Sequence, residues 1–118
     1  MENHVHVIND EKIKEIDLLD NETIYDMSLL FKMFADPTRI KILYALNEKS
    51  LNVCEISHLL KMTHSAISHQ LATLKMANLV KGIKVGKEVY YSLIDEHVSS
   101  ILSIGKEHVL EPTITKSS

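Results

Sequence analysis

The sequence predicts a mainly α-helical domain with a β-hairpin wing, an α+β winged helix-turn-helix that forms a homodimer through its N- and C-terminal helices. Three observations carry that prediction. Two short apolar-periodic runs meet at a tight turn between 53 and 77, two β-rich runs flank Val85 and Gly86, and a final helix carries a polar stripe of Asp95, His97, His108 and Glu111. A length of 118 residues, 45% hydrophobic and 25% charged, suits one domain with a real core and falls short of two.

Residues 1–23 are polar, with scattered Ile, Val and Leu and no sustained period until KIKEIDLL, which suits a short helix. A flexible acidic arm is expected there. His4 and His6 alternate with valines in it and are candidates to supplement a metal site. The domain proper is expected over 24–111, with a disordered tail over 112–118.

From Thr23 onward Ile24, Met27, Leu30, Phe31 and Phe34 recur at helical spacing, so a first helix should bury that face. Asp36 suits the N-cap of a second helix with Pro37 at its first position, and Ile40, Leu43, Ala45 and Leu46 then continue the core. After a turn at 47–50, a short helix over 53–61 carries Ile56, Leu59 and Leu60 as its apolar residues. Met62 and Thr63 turn the chain into a helix over 64–77 whose buried stripe is Ile67, Leu71 and Leu74. Two short helices at a tight turn predict helix-turn-helix. The outer face of the second, His64, Ser65, Ser68, His69, Ala72 and Lys75, is short-chained and neutral to basic, so it can enter a DNA groove without steric or like-charge conflict.

The run LVKGIKVGKEVYYSL reads as a hairpin, with Lys81, Lys84 and Lys87 crowding its turn. The net charge of −3 hides a division. Residues 1–26 hold eight acids against two lysines, a balance of −6, and residues 27–118 hold eight acids against eleven bases, a balance of +3. The middle of the chain can therefore face phosphate.

On a helix, His97, His108 and Glu111 fall within roughly 60° of one another, because eleven and fourteen residues are close to whole turns. Asp95, two residues before His97, suits an N-cap whose side chain can swing toward that stripe. His97 and His108 are about 16 Å apart along the axis, whereas two ligands of one Zn²⁺ lie within about 4 Å. One chain cannot close such a site. Two antiparallel copies about a two-fold axis would bring Asp95 and His97 of one chain to His108 and Glu111 of the other, giving two equivalent interchain sites. On spacing alone the same residues also fit the solvated side of an amphipathic helix whose apolar side is Val98, Ile101, Leu102, Ile104 and Val109.

No apolar run approaches the ~20 residues that span a bilayer, and the acidic, His-containing N-terminus does not read as a signal peptide. The single cysteine, Cys54, excludes an intrachain disulfide and agrees with a reducing, cytoplasmic compartment. No Gly-rich phosphate loop or Ser/His/Asp spacing stands out, so neither catalysis nor an organic small-molecule substrate is expected.

Taken together, FADPTRIKIL at 34–43, HSAISHQLATLKMANLV at 64–80, GKEVYYSL at 86–93 and the spacing Asp95-x-His97-(x10)-His108-(x2)-Glu111 resemble the ArsR/SmtB family of bacterial metal-responsive repressors. The likeness covers roughly 25–111. It implies Zn(II) as the first choice of metal, two per dimer, with Co(II) as surrogate and Ni(II) needing further ligands from His4 or His6. The family's second kind of site uses a Cys-x-Cys before an acidic residue together with cysteines of the arm. Here 50–55 reads SLNVCE, with Asn52 in place of one thiolate and no cysteine in the arm, so a soft cadmium or lead site does not fit. Cys54 is expected to be a half-buried small apolar residue, with His4, His6 and His58 as candidate partners of a remnant site.

The implied mechanism is a metal-free dimer on an inverted-repeat operator, with recognition helices in successive major grooves about 34 Å apart. His64, Ser65, Ser68, His69 and Gln70 are assigned to base or nearby phosphate contacts, and Lys81, Lys84 and Lys87 to phosphates. Zinc between the last helices is expected to lower DNA affinity and derepress metal efflux or resistance genes. Because ligating imidazoles must be neutral, the response should weaken as pH falls toward the ordinary imidazole range near ~6.5. Two other readings are a nickel, cobalt or thiol-redox sensing repressor of the same fold, and a winged-helix protein-interaction module without metal response.

Overall fold

A computed structural model of the protein describes residues 7–112; His4, His6 and the tail from 113 lie outside the described residues. The chain runs through α1 (Asp10–Lys14), α2 (Asn21–Met33), α3 (Pro37–Glu48), α4 (Val53–Leu60), α5 (His64–Met76), β1 (Val80–Val85), β2 (Glu88–Leu93) and α6 (Glu96–Leu110). This is the expected winged helix-turn-helix, with α4 and α5 as its two helices and β1–β2 as the wing.

Local chemistry sets most of the helix starts. Asp36 accepts from the Arg39 N–H at 3.0 Å, with Pro37 opening α3. At α4, Asn52 and Glu55 form a reciprocal capping box, the Glu55 N–H reaching Asn52 Oδ1 at 2.8 Å and the Asn52 N–H reaching Glu55 Oε1 at 3.0 Å. The turn into α5 passes through Lys61 in the left-handed region, φ 56°. Ser57 fastens that turn twice: its carbonyl accepts from the Met62 N–H at 3.1 Å and its buried hydroxyl donates to the Met62 carbonyl.

One core joins these elements: Ile42, Leu43 and Leu46 of α3, Ile56 of α4, Ile67, Leu71 and Leu74 of α5, then Leu79, Val80, Val98 and Leu102. The wing pairs Val80 with Leu93 through Val85 with Glu88, antiparallel. Gly86 supplies the positive φ, 66°, that its two-residue loop requires. Gly82 answers to a different need, since a Cβ there would stand 2.8 Å from Val89 Cγ1. The wing's base is tied to the body by Leu51, which exchanges backbone hydrogen bonds with Tyr91 at 3.1 and 2.7 Å.

Several expectations are corrected. The first core helix starts at Asn21, capped by Asp20, two residues before the expected Thr23. Its supposed core face stays open, with Ile24 46%, Met27 41% and Phe31 52% exposed, and only Leu30, Met33 and Phe34 lean on the core. Among the described residues no element of the chain covers the rest. In α3 Leu43 and Leu46 are buried as expected and Ile42 joins them, while Ile40 is exposed and Ala45 half-buried, because α3 packs against β2 and α4 through the 42, 43 and 46 side. Leu59 is likewise exposed. The short helix in the arm covers Asp10–Lys14, ahead of the EIDLL stretch.

Candidate metal centre and nucleic-acid interface

Asp95 caps α6, and its two carboxylate oxygens do different work. Oδ1 accepts from the His97 and Val98 N–H groups at 2.9 and 3.4 Å, while Oδ2 lies 3.4 Å from His97 Nδ1. The cap therefore swings the carboxylate onto the histidine, as the strand-to-helix position requires. Partial desolvation acts to raise the Asp95 carboxyl, but hydrogen bonds from the His97 side chain and the Val98 and His97 N–H groups outweigh it and hold the group below its ordinary value. The pair is open to solvent, with side chains 49% and 93% exposed for Asp95 and His97.

A separation of 3.4 Å is within the ~4 Å that two ligands of one Zn²⁺ span. Asp95 and His97 thus fit half a divalent-metal site, with one carboxylate oxygen committed to the cap and the other available. His108 and Glu111 are exposed at the far end of α6, His108 in its last turn and Glu111 at its C-cap. Among the described residues no group of three or more His, Cys, Asp or Glu converges. Asp95 and His97 therefore stand at one end of α6 and His108 and Glu111 at the other.

Cys54 is exposed, not half-buried as expected. On α4 it lies about 200° round the helix from the buried Ile56. Asn52, beside it, is buried and committed to the capping box. The residue standing in for a thiolate therefore has a structural task of its own.

The second face with chemistry is α5, N-capped by Thr63, whose hydroxyl accepts from the Ala66 N–H at 3.1 Å. His64, Ser65, Ser68 and His69 are exposed together along it. Gln70 does not share that face; it is half-buried at the rim of the Ile67 and Leu74 stripe, three and four residues being neighbours on a helix. In the wing, Lys87 occupies the loop and Lys84 pairs opposite Val89, but Lys81 pairs opposite Ser92 near the hairpin base. Being an odd number of residues apart, Lys81 and Lys84 point to opposite faces. Lys84 and Lys87 therefore lie at the tip as expected, and Lys81 does not.

Two polar contacts escaped sequence reasoning. Arg39 reaches back over the end of α2, Nε donating to the Met33 carbonyl at 3.0 Å and Nη2 to the Lys32 carbonyl at 3.5 Å, a cation on the helix's negative end. Lys106 of α6 donates to the Tyr44 hydroxyl of α3 at 2.8 Å, with its Nζ 5.4 Å from the ring centroid. The Tyr44 hydrogen bond holds the Lys106 ammonium above its ordinary value. These residues lie 62 apart in the chain, so no local pattern announces the contact.

Residues 36–81, which span α3 to the start of the wing, match the family described as bacterial regulatory protein, arsR family. The chain is 34% identical over 103 residues to a transcriptional repressor SmtB homolog of Synechocystis, covering 86% of this chain and 78% of that one. It belongs to the arsR family. A second relative, the cadmium resistance transcriptional regulatory protein CadC of Listeria innocua, is 33% identical over 111 residues, covering 91% of this chain and 90% of that one. The crystal structure of the AntR antimony-specific transcriptional repressor overlays with a TM-score of 0.73 at 26% identity, covering 85% of this chain and 91% of that one. As an arsR family member the chain is a regulatory protein and not an enzyme. Among the described residues no helix is long and apolar enough to cross a membrane.

Proposed function

We propose that the protein is a dimeric, metal-responsive transcriptional repressor whose DNA affinity is lowered by Zn²⁺ held between the α6 helices of two copies. The observation that carries this is the Asp95–His97 pair, preset at 3.4 Å by the helix cap. His108 lies about 16 Å farther along the same helix from His97, and Glu111 caps the end beyond it, both out of reach of the first pair. An antiparallel second copy brings its own His108 and Glu111 to Asp95 and His97, so two imidazoles and two carboxylates complete a tetrahedral set. When bound, the ion supplies a tie between the two helices.

The dimer reading has independent support in the apolar residues left open on α2 and on the second half of α6. Ile24, Met27, Phe31, Ile104 and Leu110 are exposed side chains of the sort a partner helix buries. The relatives whose names carry cadmium and antimony support a metal response in this chain. A thiolate-rich site is disfavoured here, since Asn52 serves the cap of α4 and Cys54 is the chain's single cysteine.

On DNA, His64, Ser65, Ser68 and His69 are the reading face of α5, with Gln70 at its rim and Lys81, Lys84 and Lys87 on phosphates. The two-fold axis dictates an inverted-repeat operator with half-sites about 34 Å apart, in front of genes for metal efflux or resistance. Reciprocity requires DNA to weaken zinc binding by the same factor that zinc weakens DNA binding.

The deciding experiment is fluorescence anisotropy of the metal-free protein on the promoter upstream of its own gene while Zn²⁺ is titrated in. Release should come at one zinc per protomer and by about a hundredfold or more, and His97→Ala should abolish it. Tight DNA binding indifferent to zinc in the unaltered protein would overturn the zinc reading and turn attention to nickel, cobalt and Cys54.

A further inference from the structure

We infer that Tyr44 and Lys106 form a latch through which α6, the proposed metal helix, holds α3 of the DNA-binding body. This rests on the zinc-regulated reading above and assigns to it two positioning residues. The two halves of α6 are attached differently. Its first half is pinned by Val98 and Leu102, both buried in the core. Its second half stands over a groove of about 470 Å³ whose walls include Phe34, Ile40, Ile101 and Gly105. A side chain added at Gly105 would meet open space, and Ile104 and Leu110 are exposed.

Across that groove runs the Lys106–Tyr44 contact, a 2.8 Å hydrogen bond with the ammonium also 5.4 Å from the ring centroid. Tyr44 is half-buried against the core, beside Leu43 and Leu46 on the helix that packs on α4 of the helix-turn-helix. Lys106 sits two residues from His108, the ligand at the loosely attached end. Any shift that seats His108 in a shared site is therefore felt first at Lys106, and Tyr44 passes it to α3. The apolar anchors Val98 and Leu102, nearer His97, lack that directional contact.

The test uses the full-length dimer and three variants: Tyr44→Phe, which keeps the ring and removes the hydroxyl; Lys106→Met, which keeps the stem and removes the ammonium; and both together. Operator affinity is measured without metal and with saturating Zn²⁺, and zinc affinity is measured separately against a chromophoric chelator. The ratio of the two operator affinities reports coupling, which a purely stabilising contact leaves unchanged. Each single variant should shrink that ratio about fivefold, the worth of one hydrogen bond. The double variant should shrink it no further, because the two residues act as one unit. Zinc affinity of the free protein should stay within about twofold, since none of the four ligands is touched.

A ratio equal to that of the unaltered protein in both single variants overturns the latch while leaving the repressor reading intact. Additive effects in the double variant would show two independent contacts and also overturn it. An unaltered protein whose operator binding ignores zinc defeats the underlying reading, and the latch with it.

Discussion

The stretch from α3 to β1 and the two helices that flank the wing domain satisfy their apolar residues by different means. In the first, Ile42, Leu43, Ile56, Ile67, Leu71, Leu74 and Val80 are all essentially inaccessible, and every one packs on a neighbour from the same chain. In the second, α2 buries nothing and α6 buries only Val98 and Leu102, near its start. The difference separates two tasks. A DNA-reading unit must hold its shape in each protomer, so its core is completed locally. On the proposed zinc reading, the sensing unit, whose half-sites would lie about 16 Å apart along one helix, is completed by a second copy, and its apolar surface is left for that copy.

That contrast can be broken by substitution. The largest effect is expected in the self-sufficient core: Leu71→Ala should lower the unfolding free energy by about 2–5 kcal/mol, read from urea denaturation at fixed protein concentration. A cost near zero would mean that α5 is not locked as described. Next in size, Phe31→Asp on α2 should weaken dimerisation at least about tenfold in sedimentation equilibrium, since it sets a charge in an apolar interface. Its far-UV circular dichroism should be preserved. An unchanged dimer would assign the exposed face of α2 to some other role.

A smaller effect is expected in the wing. Lys84→Ala should weaken binding to all DNA sequences alike and flatten the slope of log affinity against log salt by about one unit. Lys81, near the hairpin base and on the opposite face, should then give a smaller change than Lys84. A change in sequence preference instead would mean that the wing reads bases.

The smallest effect concerns the cap of α6. The Asp95 carboxyl lies below its ordinary value of 3.8 in the folded protein. Its contribution to α6 is therefore complete above that ordinary value and is lost as pH falls through the depressed one. Helicity of α6 should decline over that acid window, and Asp95→Asn, which keeps a capping oxygen without the charge, should flatten the decline. An identical acid profile in the variant would remove the His97 contact from the account of this cap.

How much of this was readable beforehand varies by element for physical reasons. Asp36 with Pro37 and Asp95 before the last helix are local signals, because a cap is a contact between residues three or fewer apart. The Asn52–Glu55 box is just as local but went unread, since Asn52 was weighed only as a replacement for a thiolate. The buried stripe of α5 was equally plain, since Ile67, Leu71 and Leu74 are the apolar set at helical spacing. In α3 the same reasoning chose Ile40 over Ile42, because Ile40, Ile42, Leu43, Tyr44 and Leu46 lie on several sides of the helix and periodicity cannot select among them. Cys54 was misplaced for a related reason: its residue type favours burial, yet the register of α4 turns it outward.

By itself, then, the amino-acid order determined the succession of helices, the wing, the caps and the distance along one helix that makes a single-chain metal site impossible. These follow from contacts within a few residues and from the fixed rise and turn of a helix. Tertiary structure alone decided which side of α3 faces inward, that Leu51 ties the wing to the body through Tyr91, and that Lys106 meets Tyr44 from 62 residues away. Such contacts depend on how completed elements lie across one another, and no spacing in the chain encodes that angle.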